Sequence, residues 1–552
     1  MTALRRWSPW AVLVAGFGLA AVLLMWAGRD TTFFYDDWPY VLDRGDWSLD
    51  AFLDPHNEHL QATSVLIYKV LFETVGLHHY GVYRFALVVL NLLCGLLLFL
   101  YARRRVGTWP ALGLAGCLIV MAASWYNLVY AFQVNFVGAM AAGMGSLLAV
   151  DRGTRRGDVA ASVLLCLSIA SSSVGFPFLV GAVVEVLLRR DRRSRLWVVG
   201  VPIALYGIWT LYYGEGRSAR ASNADAIPEY IRDGYDDSVA AITGLTLDWG
   251  VLLGVGLIAL VVREFLDPER TTPRLIAVVV MPLSLWALTA LGRADMGVEA
   301  DANRYLYCSG LLVGLVAVEA GRRYLVAGRA AAICGALLLF GALHNAAQVD
   351  AGGGTLRVWS GSGKDAATAL DIGRGKVRLD YADADPTQGF IPAGRYYDAV
   401  DRYGSSPGFT LDELLRAPEE RRAGTDEKLL RVLRVGIGPV EEGQLPAAVA
   451  PTVELAERGI RKPAGNGCVR FEPIAADAHL YLTVPESGLY VTTGDAPVEP
   501  RLRRFGTGWP EKPLGVVVED SVAGFFIPRD RAPQQWHARL DSTEPFTVCA
   551  FG

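Results

Sequence analysis

From residue 10 to about 349 the chain is a succession of apolar blocks separated by short polar or basic connections. A spanning helix needs about 20 mostly apolar residues. Blocks that meet or approach this lie at 10–28, 83–101, 109–125, 133–150, 158–173, 174–189, 196–213, 249–263, 274–291, 305–320 and 330–348. They predict about eleven spans, with the two short ones around Ser171-Ser172-Ser173 the weakest by hydropathy. The stretch 60–75 is apolar too, but Lys69 and Glu73 interrupt it. It predicts a helix lying in the interface or a re-entrant segment. The first block follows Arg5 and Arg6 like a signal peptide, yet Trp26 and Arg29 stand where a cleavage site needs small residues. An uncleaved first span is the expectation.

Past residue 349 the pattern changes. Residues 350–465 mix Gly-rich loops with short helical pieces at 412–416 and 426–434. Residues 466–552 show short runs at 468–471, 480–484, 489–492, 515–518, 525–527 and 546–549, closed by turn residues. Strands at that spacing predict a small sandwich. The expected fold is therefore a polytopic α-helical membrane domain over 1–349, an extracytoplasmic linker with short helices over 350–465, and a β-sandwich-like domain over 466–552. Both the membrane part and the tail are large enough for a core.

The net charge of −4 over 552 residues says little about partners. Placement says more. Arg5/Arg6, Arg103-Arg104-Arg105, Arg152/Arg155/Arg156, 189–195, Arg263/Arg270 and Arg322/Arg323/Arg329 occupy alternate connections. The positive-inside rule puts these in the cytoplasm, so 29–82, 126–132, 214–248, 292–304 and everything beyond 349 face outward. The expectation is a multi-pass protein of the cell membrane with an extracytoplasmic C-terminal domain. Of seven cysteines, Cys94, Cys117, Cys166, Cys308 and Cys334 lie in apolar blocks and read as small hydrophobes. Cys468 and Cys549 bracket the strand-rich region and suit a disulfide in an oxidising compartment. The chain shows no internal repeat and no nucleic-acid motif.

Candidate chemistry concentrates in the first outward loop, which opens Phe33-Phe34-Tyr35-Asp36-Asp37-Trp38-Pro39-Tyr40. Adjacent carboxylates among aromatics repel and lose water, which can raise one pKa toward that of a general base. A solvated helix cap at the lipid interface is the competing reading. Further on, Pro55-His56-Asn57-Glu58-His59 offers polar contacts to a substrate or a cap for the next helix. The same residues admit a divalent metal, although an H-x-x-H pair alone is weak evidence for one. Tyr130, Gln133 and Asn135 place polar groups at the outward ends of two spans, where they are costly unless they face a cavity. Asn303-Arg304-Tyr305 opens another span on that side. Interhelical packing and snorkelling are the bland alternatives for these residues. The loop 214–248, with its second pair Asp236-Asp237, reads as a partly ordered lid with a solvated face.

This arrangement resembles the GT-C superfamily of integral-membrane glycosyltransferases, most nearly a group of actinobacterial members. The arabinofuranosyltransferases of cell-wall assembly share its general plan. The resemblance covers residues 1–350 in architecture and is specific at 33–40, 55–59, 130–135 and 303–305. It implies an inverting, metal-independent glycosyltransferase acting on the outer face of the membrane. The donor would be a sugar on a polyprenyl phosphate and the acceptor a glycan or lipid of the cell envelope. It assigns the base to Asp36 or Asp37, with Asp37 preferred, and the phosphate to Arg304. His56, Asn57, Glu58, His59, Tyr130, Gln133, Asn135 and Tyr305 would contact substrate. A transporter or flippase for lipid-linked glycans and a non-catalytic envelope assembly protein are the alternatives.

Overall fold

The computed structural model describes residues 4–214, 220–325, 328–385, 389–440 and 448–552. The chain forms two compact units. One comprises Met1–Thr31, Pro39–Val75 and His79–Val358; the other comprises Thr32–Trp38, Gly76–His78 and Trp359–Gly552.

Among the described residues, seven helices are long and apolar enough to cross a membrane. They are Pro9–Ala27, Tyr80–Val106, Thr108–Val129, Ala131–Val150, Arg192–Tyr213, Pro273–Met296 and Arg329–Gly373. The pair Ala221–Thr243 and Leu247–Phe265, bent by 106° at its break, makes an eighth if it forms one broken span. The remaining expected blocks fall on helices that are shorter or more polar, Arg155–Ser171, Ser173–Leu188 and Asn303–Gly321. The apolar stretch after the first loop is the helix Ala62–Val75, whose 14 residues rise only about 21 Å and cannot span. Its Lys69 is buried and donates to the carbonyl of Arg44 at 2.6 Å.

Two expectations change here. The segment 214–248 is not a loop with a solvated acidic pair. Its described part carries the amphipathic helix Ile227–Thr243, and Asp236 and Asp237 ride on that helix. The expected boundary at 349/350 falls inside the continuous helix Arg329–Gly373. The glycines at 352–354 looked like a loop, but a Cβ at Gly352 would collide with Trp125 and one at Gly353 with the carbonyl of Ala27. They are there because other segments press against the helix at that level.

Several polar groups inside this unit are paired across helices. Asn91 is fully buried, donates to the carbonyl of Ile119 at 2.9 Å and accepts from Tyr307 at 2.8 Å. At one end the basic connections are tied together by ions: Arg105 lies 3.0 Å from Asp151 and 2.5 Å from Glu319. Arg274 lies 3.1 Å from the same Asp151 and 2.7 Å from Glu185.

The second unit combines helices and antiparallel sheets. A four-stranded sheet runs in the order Glu499–Arg503, Trp536–Asp541, His479–Val484, Thr452–Glu457. A larger sheet runs in the order Gly438–Pro439, Val522–Phe525, Leu489–Thr492, Phe546–Phe551, Val469–Pro473, Gly459–Pro463, and Ala448–Val449 also pairs with Phe546–Phe551. Alternation along His479–Val484 and Trp536–Asp541 buries one face of the smaller sheet. The strands therefore begin before residue 466. Thr452–Glu457, Gly459–Pro463 and Glu499–Arg503 are polar edge strands with little apolar signal. The stretch expected at 515–518 contributes only a bridge from Val517 to Val498.

The register that pairs Val469 with Val548 sets Cys468 beside Cys549, and the two sulfurs are bonded with Cα atoms 4.6 Å apart. The bridge closes a separation of 81 residues, a loop for which the chain-entropy account gives about 4–5 kcal/mol. The helix Glu419–Val432 is anchored to the sheets by Asp426, whose carboxylate accepts from the amides of Arg504, Phe505 and Gly506 at 2.8–3.0 Å.

Candidate functional site

The segment Thr32–Trp38 belongs to the second unit, and aromatic burial shapes it. Phe33 is fully buried and Phe34 and Trp38 nearly so. Phe34 stacks on Trp359 with centroids 6.0 Å apart, and Trp38 lies 6.4 Å from the ring of Tyr396. Tyr35 has a left-handed φ of 39°, which reverses the chain and starts the helix Asp37–Asp43. Asp37 is wholly buried in that turn, where its Oδ2 accepts from the amide of Phe34 at 3.0 Å. Asp36 is half-buried. The two carboxylates thus have different environments, one built into a turn and the other reachable from solvent.

In the first unit, Pro55-His56-Asn57-Glu58-His59 forms a tight reversal. His56 and His59 exchange both backbone bonds at 3.0 Å, while Asn57 and Glu58 take φ values of 47° and 69°. Two successive left-handed residues match a type I′ turn, a geometry that asparagine at the first position accommodates well. The turn is held from below by Arg44, whose guanidinium donates to the carbonyls of Ala51 and Asp54 at 2.6 and 2.9 Å. Sequence reading missed Arg44, because it works through carbonyls and no pattern marks it.

The reversal sends its histidines to different surroundings. His56 is buried against Tyr40 and Phe132, with centroids 5.2 and 5.3 Å away, and Tyr130 stacks on the same Phe132. Gln133 accepts from Asn127 at 3.1 Å. His59 faces the other way, toward Arg293, whose Nη2 lies 3.0 Å from His59 Nε2. Arginine can only donate, so that ring nitrogen accepts and the ring is neutral. Burial, reinforced by Arg293, His56 and Arg304, pushes His59 down to about 4. Arg293 also reaches the carbonyl of Asn57 at 3.4 Å and the exposed Glu58 at 3.8 Å.

Glu58, His59, Arg293 and Tyr305 border a cleft of about 140 Å³ whose other walls are mostly apolar, including Phe136, Phe176, Leu285 and Leu288, with Ser173 and Thr289. Tyr305 packs on Phe136 at 5.9 Å, and Arg304 lies 5.3 Å over the Tyr305 ring. Arg304 Nε and Asn135 Nδ2 are buried without a hydrogen-bond partner. Among the described residues no carboxylate pairs with Arg304, so a half-buried cation beside His59 lacks a counterion. The described residues contain no group of three His, Cys, Asp or Glu arranged to hold a metal ion.

Of the residues singled out in sequence, His59, Glu58 and Tyr305 therefore gather around one cleft, and Arg304 packs over the ring of Tyr305. His56, Tyr130, Gln133 and Asn135 pack in the adjoining aromatic cluster or near it, and Asp36 and Asp37 belong to the other unit. Arg293, at the end of the helix Pro273–Arg293, is the cleft's principal donor.

No protein-family model matches the chain, and no curated protein matches it in sequence. Among solved structures, the crystal structure of ArnT from Cupriavidus metallidurans bound to undecaprenyl phosphate is similar over 66% of this chain and 81% of its own. The identity is 15% and the TM-score 0.44, a likeness too slight to carry an argument about this chain's chemistry.

Proposed function

We propose that this protein is a multi-pass membrane glycosyltransferase. It would move a sugar from a polyprenyl-phosphate carrier to a cell-envelope acceptor on the outer side of the membrane. The observation that carries this reading is Arg304, a half-buried guanidinium with no carboxylate partner among the described residues, packed over Tyr305 of a largely apolar cleft. A lipid phosphate supplies what that site lacks. Its charge pairs with a fork that stays protonated at any working pH, and its prenyl chain suits the apolar walls. The disulfide between Cys468 and Cys549 supports an extracytoplasmic C-terminal unit, since such bonds persist in oxidising compartments.

In the reaction, the acceptor oxygen bonds to the anomeric carbon while the bond from that carbon to the carrier phosphate breaks. The phosphate keeps the bonding pair, and the acceptor proton passes to a carboxylate of the first loop. The turn geometry favours Asp36 over Asp37 as that base. Asp37 is enclosed and accepts from Phe34, so its part is to position the turn, whereas Asp36 is only half-buried and can be reached from solvent.

The test is chromatographic: transfer from a panel of polyprenyl-phosphate sugars, with purified protein in detergent. Asp36→Asn keeps the shape but cannot take the proton, so transfer should fall about 10²–10⁴-fold with the unfolding temperature unchanged. Asp37→Asn still accepts from Phe34 and should lose less. If Asp36→Asn stays within tenfold of wild type, or wild type turns over no such donor, the reading is wrong.

A further inference from the structure

A second cleft lies wholly within the other unit. It encloses about 430 Å³ between the end of the long helix, the loop 405–411 and the chain at 531–532. On its floor is Asp371, whose carboxylate accepts from the hydroxyls of Tyr396, at 3.0 Å, and Ser406. The two hydroxyl oxygens lie 2.8 Å apart, and Ser406 accepts from the amide of Gly408 at 2.9 Å. The loop backbone presses on the carboxylate: a Cβ at Gly408 would stand 3.0 Å from Asp371 Oδ2. His78 is fixed at the rim by the carbonyl of Ser406 at 3.2 Å and by Glu413 at 3.3 Å. Burial pushes Asp371 up to about 6, and the two donated hydroxyl bonds oppose that rise.

The rim carries cations. Arg531 lines the cleft with an exposed side chain, and among the described residues no carboxylate pairs with it. Lys364 Nζ lies 4.0 Å over the ring of Phe409, another lining residue. The cleft therefore offers a fixed carboxylate with lone pairs to spare, hydroxyls that donate or accept, an aromatic edge and an unpaired guanidinium. A hydroxyl-rich ring donates to the carboxylate and packs on the apolar patch, and an anionic substituent on that ring meets Arg531. The space falls within the range of small-molecule sites.

We infer that this cleft is a binding site for an anionic saccharide, either a uronate or a sugar phosphate. Asp371 takes the ring hydroxyls and Arg531 the charge. Tyr396, which donates to Asp371, also lies 6.4 Å from the ring of Trp38 in the first-loop turn. The inference stands apart from the transfer reaction, because it needs neither a donor nor Arg304.

Saturation-transfer NMR on the full chain in detergent tests it, with no lipid donor present. The probes are D-glucuronate, D-glucose 6-phosphate, D-glucose and inorganic phosphate. Transfer to glucuronate or to the sugar phosphate should exceed that to glucose. It should fall at least fivefold in Arg531→Gln, an exposed position whose change leaves folding alone, and in Asp371→Asn, whose amide oxygen keeps one of the two hydroxyl bonds. Thermal unfolding of both variants shows whether the fold is kept. Equal signals from glucose and the charged sugars overturn the inference, as does displacement of the sugar phosphate by an equal concentration of inorganic phosphate. So does an absence of signal from every sugar. A uronate-only or phosphate-only response identifies the substituent.

Discussion

At one end of the helical unit, Arg105 and Arg274 share Asp151 and each reaches a second carboxylate, Glu319 or Glu185, at 2.5–3.1 Å. At the cleft, Arg293 makes its shortest contact with a neutral histidine and reaches a carboxylate only at 3.8 Å, while Arg304 pairs with none among the described residues. Both regions bury cations, yet only the first supplies anions to match. A closed set of ions inside a helical bundle is a fastening. Burial costs each charge its water, and the partner returns that loss only while the pair is intact. A cation left open beside a cleft carries the cost unreturned until something anionic arrives. The contrast, more than either cluster alone, separates a structural arginine from a binding one.

The comparison can be broken first at the fastening, where the largest effect is expected. Glu319 is nearly inaccessible and accepts from Tyr101 and Arg105, with Arg322 at 3.7 Å. Glu319→Ala leaves those cations facing an apolar void and should cost about 3–5 kcal/mol, the range for breaking a buried pair. Chemical unfolding in detergent reads this directly. A stability within about 1 kcal/mol of wild type would mean that the network is solvated and that the contrast with the cleft is false.

At the cleft the prediction runs the other way. Arg304→Gln removes a charge that has no partner, so the unfolding temperature should hold or rise. Affinity for undecaprenyl phosphate, measured by tryptophan quenching, should fall about 10- to 100-fold, as expected when a charge-assisted bond of about 1.5–3 kcal/mol is lost. Arg105→Gln should show the opposite split, with stability lost and affinity kept. If both variants behave alike, the two ends do not differ in the way their geometry suggests.

Much of this was readable in the chain, and the exceptions share causes. Apolar blocks mark helices because lipid and protein interiors exclude charge, so the long helices stood out. The blocks 174–189 and 305–320 were also read as spans, and both are helices, Ser173–Leu188 and Asn303–Gly321, shorter or more polar than the seven. The glycines at 352–354 misled for a definite reason: in sequence a glycine run means freedom, but here Trp125 and Ala27 press against it. Edge strands such as Glu499–Arg503 were missed because they bury too little to show a period. Arg304 and His59 were singled out from motif position, but the tight reversal that points His59 at Arg293 depends on two left-handed residues that side-chain type alone does not announce. The difference between Asp36 and Asp37 was beyond the sequence altogether, because adjacent identical residues differ only in which one the turn encloses.

The smallest effect sharpens the comparison most. Arg293 is closer to His59 than to any carboxylate, and the contact requires a neutral ring. A histidine ordinarily titrates near 6.5, whereas His59 is held down to about 4 by burial and by Arg293. The sign follows from the depressed value. The folded state takes up the proton later than the unfolded chain, so the stabilisation is complete above about 6.5 and disappears as pH falls through about 4. Between pH 8 and 5.5 the ring then adds no charge to the cleft. The lipid phosphate itself changes charge near pH 6, so absolute affinities will drift. The ratio of wild-type to His59→Gln affinity cancels that drift, and it should stay constant within about twofold across the range, which is under 0.5 kcal/mol. A ratio that climbs as pH falls from 7 to 5.5 would show His59 gaining charge in the cleft. His59 would then be a third cation for the phosphate, and Arg304 would no longer stand alone as the open charge.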